Sequence, residues 1–153
     1  MRTIKFRGKK VTNGVWAYGS LVYLDENGAA IYVQTDNGSA KVMDLVYVHP
    51  DTVCQFTGFL DKNGKEIYEG DVLRSDEYPY SCIGDKKRDN YFGLIEWNEN
   101  EAAFYIVTIK NPKSSVKGIS DGISDYISQS ALQDFEVIGN IYDDEWKQFR
   151  EHL

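Results

Sequence analysis

The 153 residues include only two cysteines, two histidines and three prolines. Cys54 and Cys82 form no C-x-x-C pair, so neither a disulfide scaffold nor a thioredoxin-type site is expected. A structural zinc site needs four converging ligands, and only His49 and His152 could join the cysteines. His49 and Cys54 lie five apart on one expected strand and so point to opposite faces. No metal and no cofactor are expected. No apolar run approaches the ~20 residues of a membrane-spanning helix, so no membrane partner is expected. The opening MRTIKFRGKK lacks the apolar centre of a secretory signal. With so little cysteine, a cytoplasmic location is expected. Phosphate loops of the types GxxxxGK[ST] and GxGxxG are absent from strand–helix settings, and no G-x-S-x-G occurs. His49 has no acidic orienter nearby and His152 is penultimate, so no oriented imidazole for a triad is expected.

Charge of one sign is also scarce. Seventeen Lys and Arg face 24 Asp and Glu, a net charge of −7. Such a chain repels nucleic acid and anionic membranes as a whole. The first ten residues depart from this, with Arg2, Lys5, Arg7, Lys9 and Lys10 and no acid. Lys5, Arg7, Lys9 and Lys10 are therefore the candidate contacts for an anion or nucleic acid. The competing reading is a solvated lysine edge that discourages strand pairing.

Aromatic residues are plentiful: 11 Tyr, seven Phe and three Trp, a composition that favours strands. Asn-Gly occurs at 13–14, 27–28, 37–38 and 63–64. In a type I′ hairpin turn both central residues need positive φ, which Asn followed by Gly supplies. The first half reads as a meander with strands at Ile4–Phe6, around 16–24, at Ile31–Gln34, at Lys41–Val48, and at Val53–Thr57, with Gly58 ending the last. Alternation places Trp16, Tyr18, Ser20, Val22 and Leu24 on one face of the second strand, with Leu21 and Tyr23 on the other. Met43, Leu45 and Tyr47 share a face of the fourth.

In the second half, strands are expected from Val72, at Tyr91–Trp97, Ala103–Ile109 and Phe135–Tyr142. Residues 75–90 and 113–130 read as loops. A closing helix is expected after a cap at Asp143 or Asp144, because Trp146, Phe149 and Leu153 form an apolar stripe.

Asp61-Lys62-Asn63-Gly64 resembles the start of a calcium loop. Glu66 and Val72, however, occupy the positions where the loop needs Gly and Glu, so a hairpin turn is the better reading. Asp71, Glu96, Glu99 and Glu101 lie near strand ends and could serve carboxylate-dependent hydrolysis. Solvated turn acids are the commoner case. Tyr18, Tyr32, Tyr47, Tyr91, Phe104 and Tyr105 could stack bases, although about half of them are expected to pack in the core.

Ile4-Lys5-Phe6-Arg7-Gly8-Lys9 and Trp16-Ala17-Tyr18-Gly19-Ser20-Leu21 resemble the opening of the YopX family of phage and prophage proteins. Gln55 to Leu73, QFTGFLDKNGKEIYEGDVL, is similar to that family's most distinctive block. Gly93–Trp97 and Val137–Tyr142 are similar to its later strands. The resemblance implies a small, mainly β protein of phage or prophage origin and carries over no catalytic residues. By analogy, Gly70-Asp71-Val72 and the strand ending in Trp97 are laid out like an SH3-like barrel.

The expected fold is mainly β (all-β to α+β): a hairpin-rich N-terminal sheet, an SH3-like barrel in the second half and a short C-terminal helix. It forms one domain, 1–153, or two lobes, 1–54 and 55–153. The expected function is that of a non-enzymatic phage accessory protein in the bacterial cytoplasm, binding protein or itself. Nucleic-acid binding through the basic N-terminal segment is the alternative, disfavoured by the net acidity.

Overall fold

A computed structural model describes residues 3–25, 28–36, 41–76, 91–109 and 124–148. The chain divides into two compact units, Met1–Gly58 and Phe59–Leu153. It is mainly β, built on two antiparallel sheets.

The first sheet contains β1 (Phe6–Lys9), β2 (Trp16–Asp25), β3 (Gly28–Asp36), β4 (Lys41–Val48), β5 (Cys54–Leu60) and β6 (Glu66–Tyr68). Their order is β4-β3-β2-β1-β5-β6. A short 3-10 turn, Pro50–Thr52, separates β4 from β5. The meander curls, because the end of β4 bonds back to the end of β1. The His49 amide donates to the Lys9 carbonyl at 2.9 Å, and the Val11 amide to that of Tyr47 at 3.2 Å. The contact is the single bridge Lys10↔Val48, and no closed barrel results among the described residues.

The corners differ from the expected type I′ geometry. Gly14 and Gly64 have φ of +69° and +79°, but neither Asn13 nor Asn63 has positive φ. Both loops are longer than two residues. The Asp61 amide bonds to the Lys65 carbonyl at 2.8 Å, leaving three residues between, with glycine at the left-handed position of the loop. The pairs at 27–28 and 37–38 lie wholly or partly outside the described residues. Gly58 does not end β5 as expected. It carries φ +94°, a conformation open to glycine, and the strand runs through it to Leu60.

The inner face of the curl is the core of the first unit. Ala17, Ala29, Ile31 and Val48 are buried there, with Phe6, Leu21, Val33, Val46 and Val53 against them.

The second unit holds β7 (Asp71–Ser75), β8 (Tyr91–Asn98), β9 (Ala103–Thr108), β10 (Ser124–Tyr126) and β11 (Glu136–Asn140). Their order is β10-β9-β8-β7-β11, an open sheet rather than the expected SH3-like barrel. Among the described residues its edge strands, β10 and β11, do not pair. Apolar clusters lie on both faces. Leu73, Ile95, Phe104, Ile106, Leu132 and Phe135 form one, with Ile67 and Tyr91. Val72, Leu94, Ile109 and Ile141 form the other, with Phe92 and Trp146 packed on it. Expected loop 75–90 is strand at Ser75 and lies mostly outside the described residues, as does much of 113–130. The described part of the latter carries β10, a short strand the sequence did not announce.

Among the described residues the expected closing helix is only a short 3-10 turn at Lys147 and Gln148, reached through tight turns over 141–146. The Asp143 side chain does not cap a helix; it accepts from the Asn140 amide at 2.9 Å, and Asn140 Oδ1 accepts from the Tyr142 amide at 3.0 Å. The Trp146 amide then bonds to the Asp143 carbonyl at 3.0 Å. These reversals lay the Trp146 indole on Gly139, where a Cβ would sit 2.5 Å from Nε1. The indole also lies 5.9 Å from the Phe92 ring. Over 143–146, docking of one large ring on a glycine takes the place of a regular helical turn. Phe149 and Leu153 lie outside the described residues.

Candidate functional site

In β1 of the first unit, the register sets Arg7 opposite Tyr18 and Lys9 opposite Trp16. Cross-strand partners share a face, so Lys5, Arg7 and Lys9 stand with Trp16 and Tyr18 on the outer side of the sheet. Lys10 bridges to Val48, a core residue, and belongs to the inner side. The four candidate cations are therefore split, three and one.

The three are not equivalent. Arg7 is 5 % exposed, with its guanidinium 4.5 Å from the centroid of the Trp16 ring. It is a buried packing residue with a cation–π contact and presents little surface to a phosphate. Lys9 Nζ lies 5.3 Å from the Trp16 ring and Lys5 Nζ 5.8 Å from the Tyr18 ring. Both lysines are half-buried at one rim.

The outer face continues across the sheet. Ser20 pairs with Tyr32, and Tyr32 with Leu45. Ala30 pairs with Tyr47, and Gln34 with Met43. Tyr18, Tyr32 and Tyr47 thus step diagonally over β2, β3 and β4. Diagonal neighbours are ~7–8 Å apart, within reach of aromatic side chains. Tyr18, Tyr32, Met43, Leu45 and Tyr47 are 42, 39, 48, 43 and 57 % exposed. Among the described side chains no carboxylate interrupts this stripe, and the pair Asp36 and Lys41 ends its strands. Asp25, paired with Gly28 at the hairpin end, lies beyond its far rim.

The six rings considered as base-stackers divide by unit. Tyr91, Phe104 and Tyr105 are buried in the second unit, whereas Tyr18, Tyr32 and Tyr47 are exposed.

A second feature lies on the β8–β9 hairpin. An open hollow of about 440 Å³ is lined by Glu96, Trp97, Glu99 and Tyr105, among others. The corner is shaped by Asn98, whose Oδ1 accepts from the Asn100 and Glu101 amides at 3.0 and 3.3 Å. Ala102 has φ +50°. The Tyr105 and Tyr126 hydroxyls both donate to Glu101 Oε2, and their rings lie 4.5 Å apart. β10 brings Tyr126 there by pairing it with Tyr105. The sequence offered Glu101 and Tyr105 separately but not their contact with Tyr126, because the strand carrying Tyr126 lay in a segment read as loop.

These hydroxyls hold Glu101 below the ordinary carboxylate range, Tyr105 more than Tyr126, against a smaller upward push from burial. Burial, then the bond to Glu101, raises Tyr105. The sign follows for acid. A depressed carboxylate contributes its stabilisation above its unfolded pKa and loses it as pH falls through the folded one. We expect the Glu101 carboxyl resonance to titrate below the ordinary glutamate range, and to rise towards it in Tyr126→Phe. An unshifted titration in the wild type would contradict this cluster.

Asp71, another candidate acid, is structural. It is 1 % exposed, accepting from the Tyr68 amide at 2.8 Å and Asn140 Nδ2 at 3.2 Å. His49 is exposed at the start of the 3-10 turn, and Cys54 is buried in β5 with its thiol 3.3 Å from the Thr52 carbonyl. Among the described residues, no three His, Cys, Asp or Glu side chains group to hold a metal. No described helix is long and apolar enough to cross a membrane.

The features define a mainly β protein of two antiparallel sheets, one with a ring-bearing outer face. The family model described as YopX protein matches residues 5–145, and the chain belongs to that family. The fold is similar to the crystal structure of protein EF1440 from Enterococcus faecalis, with a TM-score of 0.54 at 17 % identity. That likeness covers 95 % of this chain and 97 % of the other. No curated protein matches the chain.

Proposed function

We propose that this chain is a non-enzymatic accessory protein of phage or prophage origin, working in the bacterial cytoplasm as a protein-binding or self-assembling module. Its contact surface is the outer face of the N-terminal sheet. The observation that carries this reading is the exposed stripe of Tyr18, Tyr32, Met43, Leu45 and Tyr47. Aromatic residues and Met are enriched at the centres of protein interfaces and charge is depleted there. Contiguous exposed apolar surface on a soluble domain marks partner sites.

The test places a photo-cross-linking residue at Tyr32, with Gln129, exposed in the second unit, as control. In cells of the bacterial host, discrete protein adducts are expected from Tyr32 and not from Gln129. Equal, diffuse labelling at both positions would sink the reading.

Nucleic-acid binding is the second reading, favoured by the lysines beside Tyr18 and Trp16. Arg7 is buried and Lys10 lies on the other side, leaving two of the four candidate cations beside the stripe. Single-strand binding falls with salt at a logarithmic slope of about −0.7 per phosphate neutralised. Two contacts would give a slope of about −1.4, too shallow to support tight binding by a chain of net charge −7. An electrophoretic shift at low salt that persists with a steeper slope would favour this second reading.

A further inference from the structure

We propose that the outer face of the first unit docks on the β8–β9 hairpin of a second copy of this chain, so that copies associate head to tail. This rests on the reading of that face as a protein-binding surface and names its occupant.

The argument is one of complementarity. The stripe offers rings and apolar side chains, with Lys5 and Lys9 at one rim and, among the described side chains, no carboxylate between Tyr18 and Tyr47. Its complement would present acids beside an aromatic ring in a concave setting. The β8–β9 hairpin of the same sequence is such a surface. Glu96, Glu99 and Trp97 line the open hollow there, Glu101 lies at the adjoining corner, and Trp97 is 36 % exposed. The hollow, about 440 Å³, has room for a lysine stem or a tyrosine ring, since ligand pockets start near ~300 Å³. No cation is among its lining residues.

The division of charge along the chain agrees. Residues 1–58 carry six Lys and Arg against five acids, whereas 59–153 carry 11 against 19. Face-to-face pairing of two identical stripes would set the lysine rims of both copies into one interface. Stripe-to-hairpin pairing sets lysine against glutamate instead. Different surfaces then meet at each contact, so the interface is heterologous, and it propagates unless the rotation closes a ring.

Sedimentation velocity on the full chain tests this over a concentration series at two salt concentrations. The wild type is expected to grow beyond a dimer as concentration rises, with apparent affinity falling about tenfold or more from low to high salt. Two variants break opposite ends: Tyr32→Ser with Tyr47→Ser on the stripe, and Glu96→Gln with Glu99→Gln on the hairpin. None of the four belongs to an apolar cluster, but Glu96 has one buried carboxylate oxygen, so an unchanged circular-dichroism spectrum is required of each variant. Each variant alone should be monomeric. Mixed, they should form a one-to-one dimer and nothing larger, because one intact stripe then meets one intact hairpin.

A wild type that stays monomeric throughout overturns the proposal. So does a stripe variant that dissociates while the hairpin variant does not, which would mean that the stripe pairs with itself. So does a low-salt mobility shift of single-stranded DNA by the wild type that the stripe variant loses. If self-association fails while Tyr32 still cross-links to another protein, the occupant is wrong and the binding face stands. If both fail, the reading beneath falls too.

Discussion

Phe135→Ala is expected to destabilise the second unit by about 3–5 kcal/mol, the usual cost of truncating a buried aromatic. Phe135 is 1 % exposed and belongs to the cluster with Leu73, Ile95 and Ile106. Its ring meets Tyr91 edge-on, with centroids 5.7 Å apart and planes at 85°, a geometry worth about 0.5–1.5 kcal/mol beyond area. The backbone around it is engaged at both ends. Its amide donates to the Leu132 carbonyl at 3.1 Å, closing the short 3-10 turn, and its carbonyl accepts from the Lys62 amide at 2.8 Å. With these bonds holding the backbone, the site has little room to collapse, which places the cost towards the upper end. Urea unfolding followed by tryptophan fluorescence measures it. With a slope of about 2 kcal/mol/M, typical of a small protein, the midpoint should fall by about 2 M. A shift of less than about 0.5 M would mean that this cluster is not the core of the unit.

The strands were legible because period-two alternation and Asn-Gly corners are local signals. β8 and β9 were expected within one residue at either end. Which face turns inward was not legible. In β2, the face carrying Trp16, Tyr18 and Val22 is the more apolar by count, yet it is the other face, with Ala17 and Leu21, that packs in the core. The curl of the meander explains this. Its concave side has room for Ala17 and Ala29, 3 and 2 % exposed, while tyrosines go to the convex side. Curvature depends on pairing between distant strands, such as Lys10 with Val48, and no window of sequence reports it. The same applies to the candidate site. Lys5, Arg7, Lys9 and Lys10 look alike along the chain, but register and bridge make one a buried partner of Trp16 and send another to the inner side. The shortening of the closing helix to a 3-10 turn among the described residues has a comparable origin. Trp146 obeyed the apolar spacing, but its indole found Gly139, a tertiary contact that outweighs helix propensity over so short a stretch.

Asp61→Ala should cost about 3 kcal/mol, although the residue sits in a surface hairpin and resembles an ordinary turn acid. Its carboxylate is 6 % exposed and accepts three backbone amides. Oδ1 takes those of Asn63 and Lys65 at 2.8 and 2.9 Å, and Oδ2 takes that of Val137 at 3.0 Å. Two bonds close the corner around Gly64, and the third ties it to β11, 76 residues away in sequence. Hydrogen bonds to a charged group contribute about 1.5–3 kcal/mol each, with losses that do not add, and stranded donors make removal costlier than the bonds alone. In Asp61→Asn the new side-chain carbonyl could keep the two corner bonds, but the new side-chain amide would face the Val137 amide donor to donor. Asp61→Asn should therefore lose about half as much, roughly 1–2 kcal/mol. Amide hydrogen exchange separates the contributions. At Val137 it should accelerate in both variants, whereas at Lys65 it should accelerate mainly in Asp61→Ala. Equal acceleration at both amides in Asp61→Asn would mean that the corner and the long-range tie form one cooperative unit rather than two jobs done by the two oxygens of a single carboxylate.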